Sequence, residues 1–567
     1  MTPPRLRSPA FGAVLLVALA LGLGAVVARV PEAREAPAET TTGTSGAPAL
    51  PPGLEAFSLI REDPSPDQGV AEPRSTEKRP PSWPQGAAAR DGPGDGGGDG
   101  GHGGDRNASA GGRYDYGEVL RLSLLFYEAQ RSGRLPADNR VSWRGDSALD
   151  DRGQRGEDLS GGYYDASDFV KFGFTMAFTT TLLAWGLASY GDAYHAAGQR
   201  RLAEDAVRWA ADYFMRCHVS PDELYGQVGD FSLDHRYWGR PEELNMTRPA
   251  YKIDPEHPGS DLAGETAAAL AAVAVVTRAS DPGYADKCLE HARQLYAFAN
   301  KHRGFYHEAI KGGAQYYESA DYGDELCWAA AWLYRATGER HYLDEAEGHY
   351  SQFLLRYRPV EFFYNRKVAG VQVLLAQLTG QPEYRDAARA FCDHSALRQK
   401  HTPKGLVYVE KAGALCHAAN IAFVCLQAAD AGLNADLYRD FARRQIHYML
   451  GDAGRSFVVG FGDRWPTQPH HAASSCPDRP RNCSWADFAR PAPNPQVLYG
   501  ALVSGPDEND FYEDVRREYV YNEVTLDYNA GFQSAVAGLR HLELASSSAA
   551  AATATASTAM SSRMTAR

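Results

Sequence analysis

Positive charge is in short supply in this chain. Lys and Arg total 58 against 71 Asp and Glu, a formal net charge of −13, and no segment forms a strong basic block. That excludes the phosphate-tracking surface that DNA or RNA binding requires, so no nucleic-acid partner is expected. Cysteine is sparse: eight in 567 residues, none at Cys-x-x-Cys spacing, which argues against a zinc cluster. Cys476 and Cys483 flank the short loop CPDRPRNC and are expected to pair if the chain folds in an oxidising compartment. The other six are left open between disulfides and buried thiols. Strand-like alternation is scarce. Beyond residues 10–28 no run is long and apolar enough to span a bilayer. What remains is ordinary globular usage, 44% hydrophobic and 23% charged, which excludes a collagen, a coiled coil and a wholly disordered chain. Aromatics reach 11%, with 31 Tyr. Most are expected in the core, and some suit stacking against a ligand.

The ends read as additions to the fold. Arg5 and Arg7 precede an uncharged run from Ala10 to Ala28 that closes on Val26-Val27-Ala28. Positive, then apolar, then small is the order of a secretory signal. The run is also just long enough to be an uncleaved anchor. Either way the rest enters the secretory lumen, and the sequons at Asn107, Asn245 and Asn482 agree. The expectation is a secreted, extracellular protein, membrane-associated only if the segment stays uncleaved. Residues 31–112, rich in Pro, Gly, Ala, Ser and Asp, read as a flexible linker. The division is therefore 1–30 signal or anchor, 31–112 linker, 113–545 folded domain and 546–567 low-complexity tail.

Across 113–545 apolar residues recur at helical spacing. The pattern predicts an all-α domain of about twelve helices, near 116–131, 173–190, 199–216, 261–279, 284–300, 322–337, 341–356, 367–378, 383–396, 413–431, 435–450 and 529–542. An even number of antiparallel helices joined by long loops predicts a closed ring of helical hairpins. The long loops at 217–260 and 451–528 hold an unusual share of the His, Trp, Tyr and Asp, which is where binding and chemistry tend to sit.

Three segments carry the candidate chemistry. In DLSGGYYDASDFVKF, Asp165 and Asp168 lie three apart before a helix near Gly173. Two close carboxylates perturb each other's titration, which can hold a general base; a plain helix cap gives the same pattern. In RSFVVGFGDRWPTQPHHAASSC, His470 and His471 follow Pro469. Adjacent imidazoles seldom reach one metal, so hydrogen bonding to a polar ligand is the better reading. In FYEDVRREYVYNEVTLDYNAGF, Glu523 sits between Asn522 and Val524, a setting that can raise a carboxyl pKa enough to keep its proton. An acid and a distant base lined by aromatics is what glycoside hydrolysis needs. Trp238, with His235 beside it in GDFSLDHRYWGRPEEL, is a natural sugar platform.

DLSGGYYDASDFVKF resembles the catalytic-base motif of glycoside hydrolase family 9, the family of inverting β-1,4-endoglucanases. YEDVRREYVYNEVTLDYNA resembles that family's C-terminal signature, and YGQVGDFSLDHRYWGRPEEL and PGSDLAGETAAALAA resemble further segments. The resemblance spans nearly all of 113–545 and implies an (α/α)6 barrel acting on β-glucan. It implies Asp168 as general base, Asp165 as its partner in holding the water, and Glu523 as general acid. It also implies that His470 binds sugar and that Asp514 belongs to the same signature. His235, Trp238, Tyr316, His471 and Tyr519 would line the cleft. Inversion requires that Asp168 and Glu523, far apart in sequence, face each other with room for a water between base and sugar.

Two departures stand out. The family motif continues Pro-His-His-Arg, but position 472 is Ala. A methyl group cannot donate the hydrogen bonds of a guanidinium, and losing one such contact costs about 1.5–3 kcal/mol. The competing reading is thus a glucan-binding homologue, catalytically weakened at Ala472. Some members bind calcium through a Ser-Gly-x-x-Asp-Glu run and a later Asp. Here Asp324 and Glu325 remain, while Ala320 and Asn365 replace the other two, so a weak or absent site is expected. No cofactor, no resident metal and no separate carbohydrate-binding module are expected, and the protein is expected to work as a monomer.

Overall fold

A computed structural model describes residues 112–565; the signal or anchor segment and nearly all of the linker lie outside them. Twelve long helices build the domain: α1 (Tyr116–Ala129), α2 (Gly173–Ser189), α3 (Arg200–Cys217), α4 (Ser260–Thr277), α5 (Pro282–Lys301), α6 (Gly323–Thr337), α7 (Arg340–Gln352), α8 (Val368–Thr379), α9 (Pro382–Leu397), α10 (Ala414–Asp430), α11 (Ala435–His447) and α12 (Leu526–Thr565). They fall where the periodicity places them. The exception is α12, which runs through Thr565 and so carries helix into the Ala/Ser/Thr segment beyond 546.

The helices form two concentric rings. In the inner ring α2 packs on α4, α4 on α6, α6 on α8, α8 on α10, α10 on α12, and α12 back on α2. Each inner helix is apolar nearly all round. In α4 every residue from Ser260 to Thr277 except Val275 is buried, as expected of a helix enclosed by neighbours. The outer helices α3, α5, α7, α9 and α11 pack each on the inner helix before it, and α1 packs on α12. They are amphipathic: α3 buries Ala203, Ala206, Val207, Ala210 and Phe214 and turns its arginines outward. Runs such as AAALAA leave little side chain between the inner helices, so their backbones come close. This is the (α/α)6 barrel expected from the twelve-helix pattern.

A small antiparallel sheet goes beyond the helical pattern: β1 (Lys171–Phe172), β2 (His218–Ser220), β3 (Glu223–Val228) and β4 (Ala250–Ile253). Strand β3 pairs with β4 along its length, and with β1 and β2 at its two ends. Strands of two to six residues are too short for a period of two to register. The sheet ties the loop after α3 to the segment that carries Asp165 and Asp168.

Cys476 pairs with Cys483, as expected, and Cys392 of α9 pairs with Cys425 of α10. Cys217, Cys288, Cys327 and Cys416 are buried thiols.

At the end of the barrel where α4, α6 and α8 begin, Lys367 is fully buried. Its ammonium stands 2.8 Å from Glu325 Oε1 and 3.1 Å from Glu265 Oε2, and its backbone N–H donates to Asp324 Oδ2 at 2.5 Å. One cation thus neutralises carboxylates from two inner helices. Replacing Lys367 with Met strands buried negative charge, and we expect a loss of about 3–5 kcal/mol in unfolding free energy, read by urea denaturation.

Candidate active site

The base loop is set by glycine. Gly161 and Gly162 have φ of +90° and +72°, the left-handed region that glycine adopts freely. A Cβ on Gly162 would stand 2.7 Å from the Tyr213 ring of α3, so the turn presses directly on the outer ring. It delivers Asp165, 1% exposed, and Asp168, 8% exposed, to the mouth of the barrel just before α2.

Asp165 is enclosed by donors. Thr175 Oγ1 donates to its Oδ1 at 2.5 Å, and Tyr317 donates its hydroxyl to Oδ2. Burial, with the charge of Asp527, pushes its carboxyl above the usual range, and the hydrogen bonds from Thr175 and Tyr317 oppose that rise. Asp168 is different. Its Oδ2 lies 3.7 Å from His235 Nε2, and its buried Oδ1 has no hydrogen-bond partner. Burial raises the Tyr316 hydroxyl, helped by the charges of Asp168 and Asp230.

Glu523 enters from the far end of the chain. The amide of Leu526, the first residue of α12, donates to the Asp165 carbonyl at 2.9 Å. The amide of Ser167 donates to Glu523 Oε1 at 3.3 Å. Asp168 and Glu523 are therefore brought together across Ser167. The Glu523 side chain is 19% exposed. Burial and the charge of Asp168 raise its pKa well above the ordinary glutamate value, which keeps it an acid near neutral pH.

His470 lies alongside. Its backbone N–H donates to Asn522 O at 2.8 Å, and its Nδ1–H donates to Arg516 O at 2.7 Å. That leaves Nε2 as an acceptor, 3.8 Å from Glu523 Oε2. Tyr519 stands with its ring centre 6.2 Å from that imidazole.

Three expectations are corrected. His471 is not a cleft residue: it is 2% exposed, its Nδ1 accepts from Ser474 N at 3.1 Å, and its Nε2 donates to Gln130 Oε1 at 2.8 Å. Both nitrogens are committed to the scaffold. Trp238 is not an open platform. It is 6% exposed, donates Nε1–H to Ser475 Oγ at 2.8 Å, and backs His470 with ring centres 5.3 Å apart. The partly exposed Trp485, 5.5 Å from it, lies farther out. Asp514 is a clamp: its carboxylate accepts from Thr467 N, Thr467 Oγ1 and Gln468 N at 2.8–2.9 Å, joining the histidine loop to the Glu523 loop.

Several contributors gave no sequence signal, because each matters only through what lies opposite it. Arg516, 1% exposed, gathers Asn494 Oδ1 and the carbonyls of Asp487, Phe488, Arg490 and Ala492. Gln130, just past α1, donates to Ala166 O at 2.8 Å while holding His471. Asp234, 2% exposed, accepts from Phe169 N at 3.2 Å.

Ala472 packs with Tyr164, Phe169 and Trp238, and its N–H donates to Ser167 O at 3.2 Å. At the degraded calcium positions, Asp324 Oδ1, Glu325 Oε2 and Asn365 Oδ1 lack hydrogen-bond partners. They are oxygens of the right kind, but calcium takes about six to eight, and Lys367 already serves the same carboxylates. Among the described residues no set of three or more His, Cys, Asp or Glu is placed to hold a metal.

The family model for glycosyl hydrolase family 9 matches residues 116–536. Endoglucanase B of Cellulomonas fimi is 46% identical over 451 residues, covering 76% of this chain and 42% of that protein; this chain therefore spans less than half that relative's length. The structure of an endoglucanase from the termite Nasutitermes takasagoensis aligns with a TM-score of 0.75 at 57% identity, covering 76% of this chain and 99% of that one. That of endoglucanase CelQ from Clostridium thermocellum, complexed with cellotriose, aligns with a TM-score of 0.68 at 36% identity, covering 76% of this chain and 71% of that one. The chain belongs to glycosyl hydrolase family 9, and it is a glycoside hydrolase.

Burial lowers His470 to about 4 and His471 to about 3, from an ordinary 6.5. On acidification the unfolded chain takes up these protons first. The contribution of these two histidines to stability is complete above pH 6.5 and is lost as the pH falls towards about 4 for His470 and about 3 for His471. The thermal midpoint should drop over that window. The variant His471→Asn should lower it by about 1–3 kcal/mol equivalent at neutral pH, and flatten the acid decline, without a matching rise in KM.

Proposed function

We propose that the protein is an endo-β-1,4-glucanase that cleaves internal bonds of cellulose or a related β-glucan with inversion. Asp168 serves as general base and Glu523 as general acid. The observation that carries this reading is the contrast between the two carboxyls that meet at Ser167. Glu523 is held as an acid by burial and by the charge of Asp168, while Asp168 stands across Ser167 from it with its Oδ2 3.7 Å from His235 Nε2. Inverting hydrolysis uses one protonated and one ionised carboxyl.

In this scheme Glu523 gives its proton to the glycosidic oxygen as the bond breaks. Asp168 takes a proton from the water that attacks the opposite face of the sugar. His470, limited to accepting at Nε2, takes a hydrogen bond from a sugar hydroxyl. His235, Tyr316 and Tyr519 border the bound glucan. Asp165 partners Asp168 in holding that water, and the ligands in the CelQ structure support a cello-oligosaccharide as the substrate class.

Ala472 favours a second reading, a glucan-binding homologue with weakened catalysis. The intact set of Asp168, Glu523 and His470 supports retained hydrolysis at a lowered rate instead. The N-terminal signal pattern, the sequons and two disulfides support passage through an oxidising lumen and a secreted or anchored enzyme, which we take to act as a monomer.

On carboxymethylcellulose and soluble cello-oligosaccharides, Glu523→Gln and Asp168→Asn should each lower kcat by roughly 10²–10⁴-fold. Proton NMR of the first product should show the α anomer. A β first product, or activity that survives both substitutions, contradicts the assignment. Activity should fall on the alkaline side as Glu523 loses its proton, at a pH above the ordinary glutamate range.

A further inference from the structure

Beside the base lies a second buried carboxyl that the mechanism above does not use. Asp234 ends the short helix Phe231–Asp234, whose first turn is fixed by the Asp230 side chain accepting from Leu233 N at 3.0 Å. The next residue is His235, 3.7 Å from Asp168 Oδ2. Asp234 Oδ1 accepts the amide of Phe169, the residue after Asp168, at 3.2 Å. Its Oδ2 is buried without a hydrogen-bond partner, and so is Asp168 Oδ1. Two carboxyls beside one peptide, each with an unmatched buried oxygen, cannot both be anions at low cost. A shared proton settles both.

We propose that Asp234 is a positioning residue for Asp168, holding the base through the Phe169 amide and through a proton carried on its own Oδ2. The charge environment agrees. Burial, then the charge of Asp168, raise Asp234 to about 8. Asp230 adds to the rise, while Arg248, which also donates to Phe169 O at 2.8 Å, opposes it. The other titratable groups facing this pair are His235, Tyr316, Tyr317, Asp165 and Glu523. Donation from Asp234 would fix which lone pair of Asp168 meets the water. The inference rests on Asp168 being the base.

The test is kinetic, on the full chain, with a dinitrophenyl β-cellobioside. Its leaving group needs no proton, so Glu523 does not shape the alkaline limb. Asp234→Ala should lower kcat by roughly 10- to 100-fold with KM nearly unchanged. Asp234→Asn, which still accepts from Phe169 and still donates to Asp168, should restore most of that loss. It should also abolish the alkaline decline that loss of the Asp234 proton imposes on the parent enzyme. If Asp234→Ala does not fold, the pH profile of the Asn variant decides alone. An alkaline limb in Asp234→Asn that superposes on the parent's, or a kcat in Asp234→Ala equal to the parent's, overturns the proposal. If Asp168→Asn itself keeps full activity, the base assignment fails, and that failure is read separately from the Asp234 variants.

Discussion

The site depends on the closure of the inner ring. Residues near the start and the end of the domain meet because α12 packs against α2, and one main-chain hydrogen bond, from Leu526 N to Asp165 O at 2.9 Å, sets the register of that seam. The base loop leads into α2 and the acid immediately precedes α12, so their spacing follows from how two neighbouring inner helices begin. A small shift of α12 along its axis would move Glu523 against Ser167 and so change the geometry of acid and base together.

Around that seam the loops are held by polar groups rather than by a second apolar core. Asp514 fastens the histidine loop to the loop that carries Glu523, Gln130 fastens it to the base loop, and Arg516 collects four carbonyls from the outer rim. Loops expose backbone groups that must be paired once buried, and a few long side chains with several donors do so economically. The same groups orient the chemistry: because Arg516 O takes the Nδ1–H of His470, the imidazole tautomer is decided before any substrate arrives. Deeper in, Lys367 serves Glu265 and Glu325 in a similar way.

Much of this architecture is legible in the sequence because the outer helices leave an apolar period and the inner ones read as long apolar, Ala-rich runs. The chemical centre is legible because DLSGGYYDASDFVKF and YNEVTLDYNA place acids beside glycine, tyrosine and asparagine in loops, where charged groups without a helical face to solvate need a reason to exist. The sheet around β3 is not legible, since strands of two to six residues are too short for a period of two to register. Nor is the Cys392–Cys425 bridge, whose halves lie on separate helices 33 residues apart. Trp238 and His471 show the opposite error. Their residue types fit sugar binding, but whether a ring faces the groove or the scaffold is decided by Ser475, Ser474 and Gln130, which are remote in the chain or silent in the pattern. Asp234 is hidden for the same reason.

The glycine pair behind the base has one more implication. Because a β-carbon at 162 would run into Tyr213, and because the Tyr213 ring also lies 4.6 Å beneath the Lys171 ammonium, the outer helix α3 works as a mould into which the catalytic turn is cast. Evolution of the barrel's exterior is thereby tied to its mouth. Drift in the size of the aromatic at 213 is felt first in the shape of the turn that presents Asp168, and only afterwards as looser packing between layers.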